Sequence, residues 1–482
     1  MVDKTVTTIT GILLALVIIV IIIFVILVYM FEERPPIDGS SERNNPDARQ
    51  ITFITTQITD DESYTVLPSD ATQKIRYSGG TNTSATLAGV TGQPCHPIGL
   101  ANQHHAIGLA NQPYHSTTTT AVTTGTATTA SRIVCAPFHA NRVMIITPQA
   151  TGTASRISYI STDIRTVTGE TNPTYSGIAS DSSGNSYCAP YNSNYVLVIS
   201  SGNSISAVQY LSTNQPSDYT RTTRAYQGVV YHQNRLFFAP YGANYIMMYE
   251  IGAGNTGTTI GPALTNDNCG AGDHRYSGAV VRGNNIYFIP SNASYVMKLD
   301  TTMIGNNGNG NGNGNNNGNG NNNGNNNSAV TFLPTDISQH IHATSRYFGG
   351  TLNSSNNIVC SPDNAELIMI ISASDSISYI DSKMSGIHLD TKASYFRNGA
   401  LLPGDNRVYM APFHATNTIG VIGQDIIRVP KSLHPETSDS DHLATYTDAV
   451  SYTNNQMVFI PGGSSQVAIM TYNAGDDNGT GN

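Results

Sequence analysis

The stretch FFAPYGANYIMMYE, Phe237–Glu250, joins two apolar runs through a proline and a short polar turn. Proline has no N–H to donate to a neighbouring strand, so Pro240 suits the point where one strand ends and a turn begins. Six other segments have the same form, with prolines at Pro137, Pro190, Pro290, Pro362, Pro412 and Pro461. The stretch is therefore one copy of a repeat.

The copies recur with a period of about 50 residues. Successive prolines are 53, 50, 50, 72, 50 and 49 residues apart, and the long step contains the 23-residue Asn/Gly tract 305–327. Without the tract that step is 49. A tyrosine stands 14 to 17 residues before six prolines and 60 before the first, at Tyr77, Tyr175, Tyr226, Tyr276, Tyr347, Tyr395 and Tyr446. The first unit therefore contains a further insert, at about 80–124.

Each unit reads as four short strands. In the fourth unit, YSGAVV, IYFIP, YVMKLD and AVTFLP are rich in β-branched and aromatic residues and are separated by polar turns. Four strands in such a period are typical of a propeller blade, so seven units predict an all-β, seven-bladed β-propeller. The last unit lacks a fourth strand, and QITFITTQI, Gln50–Ile58, is a spare one. We predict that this N-terminal strand closes the ring.

The segments PYNSNYVLVIS and PYGANYIMMYE each place a turn with Asn before an alternating Val/Ile strand. In this the chain resembles the seven-bladed surface propellers with Tyr-Val-Thr-Asn repeats, over residues 50–471. Double glycines occur at 79–80, 349–350 and 462–463 and do not recur in every unit as in kelch repeats, and the Trp-Asp pairs of WD40 repeats are absent. The resemblance implies extracellular binding or coat functions more than any one chemistry.

The N-terminal part predicts a membrane anchor. Ile9–Phe31 has 23 residues without a charge, about 35 Å as a helix, which is enough to cross a bilayer. A cleaved signal peptide would have a small-residue cleavage site after it, and FEERPP follows instead. Segment 1–8 precedes the span, a polar linker 32–49 follows it, and a flexible tail, 472–482, ends the chain. The positive-inside rule favours a single-pass protein with its N-terminus inside and the propeller outside, at a cell or virion surface.

Composition and motifs narrow the function. Charged residues are only 11%, the net charge is -9 and no basic patch occurs, so nucleic acid is not an expected partner. The sequence contains no nucleophile elbow, phosphate loop or HExxH motif. We therefore predict no catalytic, cofactor or metal residue. The leading interpretation is a non-enzymatic, membrane-anchored surface propeller for adhesion, receptor recognition or coat and virion-surface assembly. Two alternatives are a filament or surface-layer subunit that self-associates through its hydrophobic helix, and a hydrolase acting at the central channel.

Candidate sites are placed where the copies diverge. A protein or glycan partner is expected on the face of the proline turns, at Phe138, His139, Tyr191, Tyr241, Asn292, Phe413 and His414. The anchor and both inserts are expected on the opposite face. Cys95 and Cys269 lie in loops and are a candidate disulfide, whereas Cys135, Cys188 and Cys360 stand two residues before a proline and are predicted to be buried. Glycosylation sequons occur at Asn82, Asn292, Asn326, Asn353 and Asn478.

Overall fold

Every repeat folds into an antiparallel four-stranded sheet, which we call a blade. The computed structural model describes residues 49–54, 77–82, 132–148, 155–209, 224–252, 257–269, 274–304, 326–339, 341, 344–381, 395–415, 418–429, 446–462, 464 and 466–473.

The strands follow one another in simple hairpin order within each blade. They are, in chain order, β1 Arg49–Phe53; blade 1, β2 Tyr77–Asn82, β3 Ile133–Pro137, β4 Met144–Thr147 and β5 Arg156–Tyr159; blade 2, β6 Tyr175–Ser180, β7 Ser186–Pro190, β8 Tyr195–Ile199 and β9 Ile205–Gln209; blade 3, β10 Tyr226–His232, β11 Arg235–Pro240, β12 Ile246–Glu250 and β13 Gly257–Ile260; blade 4, β14 Tyr276–Arg282, β15 Asn285–Pro290, β16 Met297–Asp300 and β17 Val330–Phe332; blade 5, β18 Tyr347–Leu352, β19 Ile358–Pro362, β20 Leu367–Ile371 and β21 Ile377–Asp381; blade 6, β22 Phe396–Leu402, β23 Arg407–Pro412, β24 Ile419–Ile422 and β25 Asp425–Arg428; and blade 7, β26 Tyr446–Thr453, β27 Gln456–Pro461 and β28 Ala468–Tyr472. Helices α1 Ile164–Thr168 and α2 Asn266–Cys269 and the 3-10 turn Ile337–Gln339 lie between blades, whereas the 3-10 turns Thr301–Met303 and Asn326–Ala329 lie between β16 and β17 of blade 4.

The seven blades close into a ring. The first strand of each blade contacts the first strand of the next, and β26 of blade 7 contacts β2 of blade 1. Strand β1 pairs antiparallel with β28, with Arg49 opposite Tyr472 and Phe53 opposite Ala468. The N-terminal strand is thus the fourth strand of blade 7, which confirms the predicted closure. Ile51 is buried in that strand, 4% exposed.

The repeated tyrosine and proline face each other at the start of each hairpin. Tyr226 lies opposite Pro240, and the same register joins the tyrosine and proline of blades 1, 2, 4, 5 and 7. In blade 6 the partner of Pro412 is Phe396, so the sequence-based choice of Tyr395 was wrong. Alternation along the strand explains the difference: Phe396 is fully buried, whereas Tyr395 precedes the strand and is half-buried.

A bulge follows each of these pairs. In blade 4 the register shifts between Tyr276 and Ala279, and Gly278 between them has φ +130°, which favours glycine. In blades 6 and 7 the equivalent positions hold Asn398 and Asp448 instead. These two residues are buried, and Asn398 Nδ2 donates to Asp448 Oδ1 at 2.8 Å. The inner strands of the last two blades are therefore joined through side chains.

The cores between blades are apolar. Cys135, Cys188 and Cys360 are fully buried at equivalent places in the second strands, as predicted. Burial raises the pKa of each thiol. Protonated, buried thiols of this kind behave as small apolar side chains.

Both predicted inserts are flanked by strand ends on the face opposite the prolines. Strand β2 begins at Tyr77, opposite Pro137, and ends at Asn82 on the other face. Strand β16 follows the turn after Pro290 and ends at Asp300, also on the other face. Arg49 begins β1 at the same side of the ring, beside Tyr472. The predicted anchor, Ile9–Phe31, lies outside the described residues, and the described part of the chain contains no helix of sufficient length and apolarity to span a membrane.

We expect Gly399→Ala to destabilise blade 6 by about 1–2 kcal/mol, because overpacking a tight site displaces its neighbours. A Cβ at Gly399 would lie 2.5 Å from the backbone oxygen of Tyr409, which cannot rotate away. Gly202→Ala is the matched control, since its Cβ would meet only Ser200 Oγ at 3.8 Å. Urea unfolding of both variants measures the difference; equal midpoints would show that blade 6 absorbs the methyl group without strain.

Candidate functional site

The turn after each proline and the start of each first strand meet at one side of the ring, which we call the proline face. The residues directly after the prolines differ between blades: Phe138, Tyr191, Tyr241, Ser291, Asp363, Phe413 and Gly462. Such divergence at a fixed structural position is where a repeat fold gains a specific surface.

A backbone ladder fixes these residues in place. Tyr241 N–H donates to the carbonyl of Ala225 in its own blade at 3.0 Å, and Arg275 N–H of the next blade donates to Tyr241 carbonyl oxygen at 2.7 Å. The same two bonds recur at Tyr191, Ser291 and Asp363. Each of these residues thus bridges two blades, so its side chain projects from a rigid support.

Aromatic side chains form a continuous row across blades 1 to 4. Ring centroids are 5.2 Å apart between Phe138 and Tyr191, and 6.0 Å between Tyr191 and Tyr241. His274, which precedes blade 4, stacks on Tyr241 at 4.4 Å with an interplanar angle of 13°. We call these four residues the aromatic row. All four are half-buried, so part of each ring remains accessible on the proline face.

An arginine from blade 6 completes the centre of this face. The guanidinium of Arg397 lies 3.7 Å from the ring centroid of Phe348 and 4.0 Å from that of Phe413. Its Nη1 is 3.3 Å from Asp363 Oδ2 of blade 5, and the side chains are 14% and 4% exposed. Two cation–π contacts and one ion pair therefore hold the guanidinium in a defined orientation.

Electrostatic coupling joins Arg397 to the aromatic row. Burial raises the pKa of the Tyr191 hydroxyl, and the positive charges of Arg224 and Arg397 oppose that rise. Burial also raises the pKa of Tyr241. The charges of Arg397 and Arg224 oppose that rise, and the charge of Asp363 adds to it. Arg397 belongs to blade 6 and the tyrosines to blades 2 and 3, so its charge acts across the proline face.

The predicted face residues lie in this site or at its margin. His139 packs edge-on against Phe138, and burial lowers its pKa. His414 packs in the same way against Phe413. Asn292 Oδ1 accepts from Ser345 N–H at 2.7 Å and so links blades 4 and 5.

The sequence did not single out Arg397, Asp363, Arg224 or His274. Asp363 could have been noticed in the aligned repeats, because the residue after the proline is aromatic, small or apolar in the other blades and acidic in this one. Arg397 could have been noticed too: the residue after the landmark aromatic is Ser, Gln, Phe or Thr in the other blades. The wrong choice of Tyr395 as landmark shifted that column by one residue and concealed it.

The remaining predicted residues are spread over the molecule. Cys269 is buried and its thiol donates to Thr265 carbonyl oxygen at 3.0 Å, whereas Cys95 is not among the described residues, so their disulfide stays a prediction. Asn353 Oδ1 accepts from the N–H groups of Ser355 and Asn357 in a turn on the opposite face. Asn82 ends β2, Asn326 begins a 3-10 turn and Asn478 is outside the described range; glycosylation at the five sequons stays a prediction.

The site has the composition of a recognition surface. It offers ring faces for stacking, a guanidinium for pairing with anions and one carboxylate, all on a preorganised backbone. Within the described ranges, no group of three or more His, Cys, Asp or Glu side chains is arranged to hold a metal ion.

Comparison with known proteins identifies the fold. No family model matches the sequence, and no curated protein matches it. A catalytically inactive variant of virginiamycin B lyase from Staphylococcus aureus, with quinupristin, has a similar structure: 10% identity, 88% of this chain and 99% of that one covered, and a TM-score of 0.51. A streptogramin B lyase structure covers 71% of this chain and 90% of its own at 11% identity, TM-score 0.47. YCF48 bound to D1 peptide covers 70% and 87% at 10% identity, TM-score 0.41. The likeness to the lyase variant, at a TM-score of 0.51, concerns the fold alone, and with the seven closed blades it identifies this chain as a seven-bladed β-propeller.

Proposed function

We propose that this propeller is a non-enzymatic surface recognition module that binds a ligand at the centre of its proline face. The aromatic row is the observation that carries the proposal. Half-buried rings from neighbouring blades stand in contact on a rigid backbone, and such rings supply large contact area at low conformational cost. Binding energy in interfaces concentrates in aromatic and arginine anchors of this kind.

The predicted anchor and the position of β1 support a proline face that is directed toward a partner. The segment Ile9–Phe31 would hold the chain in a bilayer, with the propeller outside the cell or particle. Because β1 begins at Arg49 on the face opposite the prolines, the linker would join the propeller on that face. The proline face would then point away from the membrane, as adhesion or receptor recognition requires.

Replacing Tyr241 by alanine tests this proposal. The full chain, reconstituted in nanodiscs, is applied to a glycan microarray and to cultured cells, and bound protein is quantified. We expect Tyr241→Ala to weaken binding about 10-fold or more, because the ring contacts both Tyr191 and His274 and a central aromatic anchor is worth at least about 1.4 kcal/mol.

Tyr231→Ala is the matched control. Tyr231 belongs to the same blade and is also half-buried, but it pairs with Leu236 at the far end of the first hairpin. Equal binding by both variants would exclude the proline face as the recognition surface. Binding that depends on self-association of the hydrophobic helix, or turnover of a bound probe, would instead favour the assembly subunit or the channel hydrolase.

A further inference from the structure

We propose that the ligand of the proline face is an acidic glycan, whose sugar ring stacks on the aromatic row while its carboxylate pairs with Arg397. This inference rests on the proposed function and specifies the chemistry of the ligand at that same site. Three features support it: the local charge, the unused donors of Arg397 and the backbone ladder.

Two arginines and one aspartate make charged contacts at the proline face. Arg224 Nη1 lies 3.5 Å from Nε2 of His274 in the aromatic row, and Arg397 pairs with Asp363. The arginines thus outnumber the aspartate in these contacts, whereas the chain as a whole has a net charge of -9. An anionic ligand is complementary to such a face and is drawn to it.

The guanidinium of Arg397 has donors to spare. A guanidinium carries five N–H donors in a planar fork that fits a carboxylate with two parallel hydrogen bonds. Asp363 engages Nη1, and Nε is buried, so the edge formed by Nη1 and Nη2 is the one at which a ligand would pair with Arg397. Phe348 and Phe413 cover the guanidinium plane, so a ligand reaches Arg397 along its edge. That approach suits a carboxylate.

The backbone ladder favours a sugar over a peptide. Extended peptides are commonly bound through main-chain hydrogen bonds to an open strand edge. On this face the N–H groups of Tyr191, Tyr241, Ser291, Asp363 and Phe413 already donate within the ladder. Recognition is therefore left to side chains. Tyrosine rings in a row stack on the C–H faces of pyranose rings, which need no main-chain partner.

The test compares acidic sugars with their neutral analogues on the full chain in detergent micelles. Sialyllactose and lactose form one pair, and trigalacturonic acid and its methyl ester form the other, so the two sources of sugar carboxylate are distinguished. We expect at least one acidic probe to bind about 10-fold more tightly than its neutral partner in calorimetry. A hydrogen-bonded pair of charged groups contributes at least the roughly 1.4 kcal/mol that corresponds to a 10-fold change in affinity. Arg397→Gln should remove that preference, and Asp363→Asn should strengthen acidic binding about 2- to 5-fold by removing the competing carboxylate.

Arg407→Gln is the matched control, because Arg407 also faces an aspartate in blade 6, with Nη1 3.8 Å from Asp405 Oδ2, but starts β23 at the other end of the blade. Thermal unfolding of each variant shows that the ring is intact. The inference is overturned if no acidic probe binds at millimolar concentration, if neutral and acidic partners bind alike, or if a folded Arg397→Gln variant keeps its preference. If the neutral probes bind as well as the acidic ones and Tyr241→Ala abolishes that binding, the proposed function is supported and only the inference of an acidic ligand is excluded.

Discussion

Ile51→Asp should destabilise the propeller by about 4 kcal/mol or more, the largest effect we expect from a single substitution. Ile51 is 4% exposed in the strand that closes the ring, opposite Met470. The variant loses the transfer energy of a large apolar side chain and must bury a carboxylate or its protonated form. Loss of β1 would also expose the edge of β28, so light scattering should show association at lower temperature than for the native chain.

The control is Thr471→Asp in the partner strand. Thr471 lies opposite Gln50 in the same ladder and is half-buried, so its carboxylate can reach water. We expect a change within about 1 kcal/mol for this substitution. Similar unfolding midpoints for the two variants would mean that the closing strand contributes little to the stability of the ring.

Asp375→Ala should cost about 2–3 kcal/mol. Asp375, in the turn between β20 and β21, accepts from Tyr287 OH and Lys298 Nζ at 2.7 Å each and pairs with Arg282, all from blade 4. Arg282 is only 6% exposed, and removal of its partner leaves a buried cation. The expected cost is below the 3–5 kcal/mol or so of a fully buried pair, because Asp375 itself is 27% exposed.

The pH dependence of this variant gives a second readout. Burial raises the pKa of Asp375, but the bonds from Lys298 and Tyr287 and the charges of Lys298 and Arg282 outweigh burial and lower it. A lowered pKa stabilises the fold above the unfolded pKa of about 3.9, and that stability is lost as pH falls through the folded value.

The difference in the free energy of unfolding between the native chain and Asp375→Ala should therefore become smaller below about pH 4. Asp425→Ala, at an exposed position in blade 6, should change stability by less than about 0.5 kcal/mol at any pH. A gap that stays constant in acid would show that the bridge between blades 4 and 5 does not depend on the charge of Asp375.

The fold was predictable because the sequence contains seven copies of the same four-stranded unit. The proline ends the second strand in every blade, and the fourth strand missing from the last unit was matched by the spare strand near Gln50. The error at Tyr395 has a simple physical origin. Two adjacent aromatic residues compete for one buried position, and the strand's alternation gives it to Phe396, which a search for tyrosine passes over.

The site was predictable only in part. Phe138, Tyr191 and Tyr241 follow a proline, so their shared face could be read from the repeat. Their contact with one another could not, because it depends on the distance between neighbouring turns in the closed ring. The pairing of Arg397 with Asp363 joins two blades, and its coupling to Tyr191 reaches from blade 6 to blade 2. Such relations arise from ring closure and have no counterpart within one repeat.

The position of β1 determines how the ring would carry mechanical load. Arg49 begins this strand on the side opposite the prolines, and the strand runs toward the proline face, paired with β28 at five positions. A force between Arg49 and an object held at the proline face acts along the strand axis, so the rungs of that pairing are loaded together in shear. A force between Arg49 and Tyr472, which are neighbours at the same end, would open the rungs one at a time. The ring should thus resist tension between its two faces better than tension between Arg49 and Tyr472.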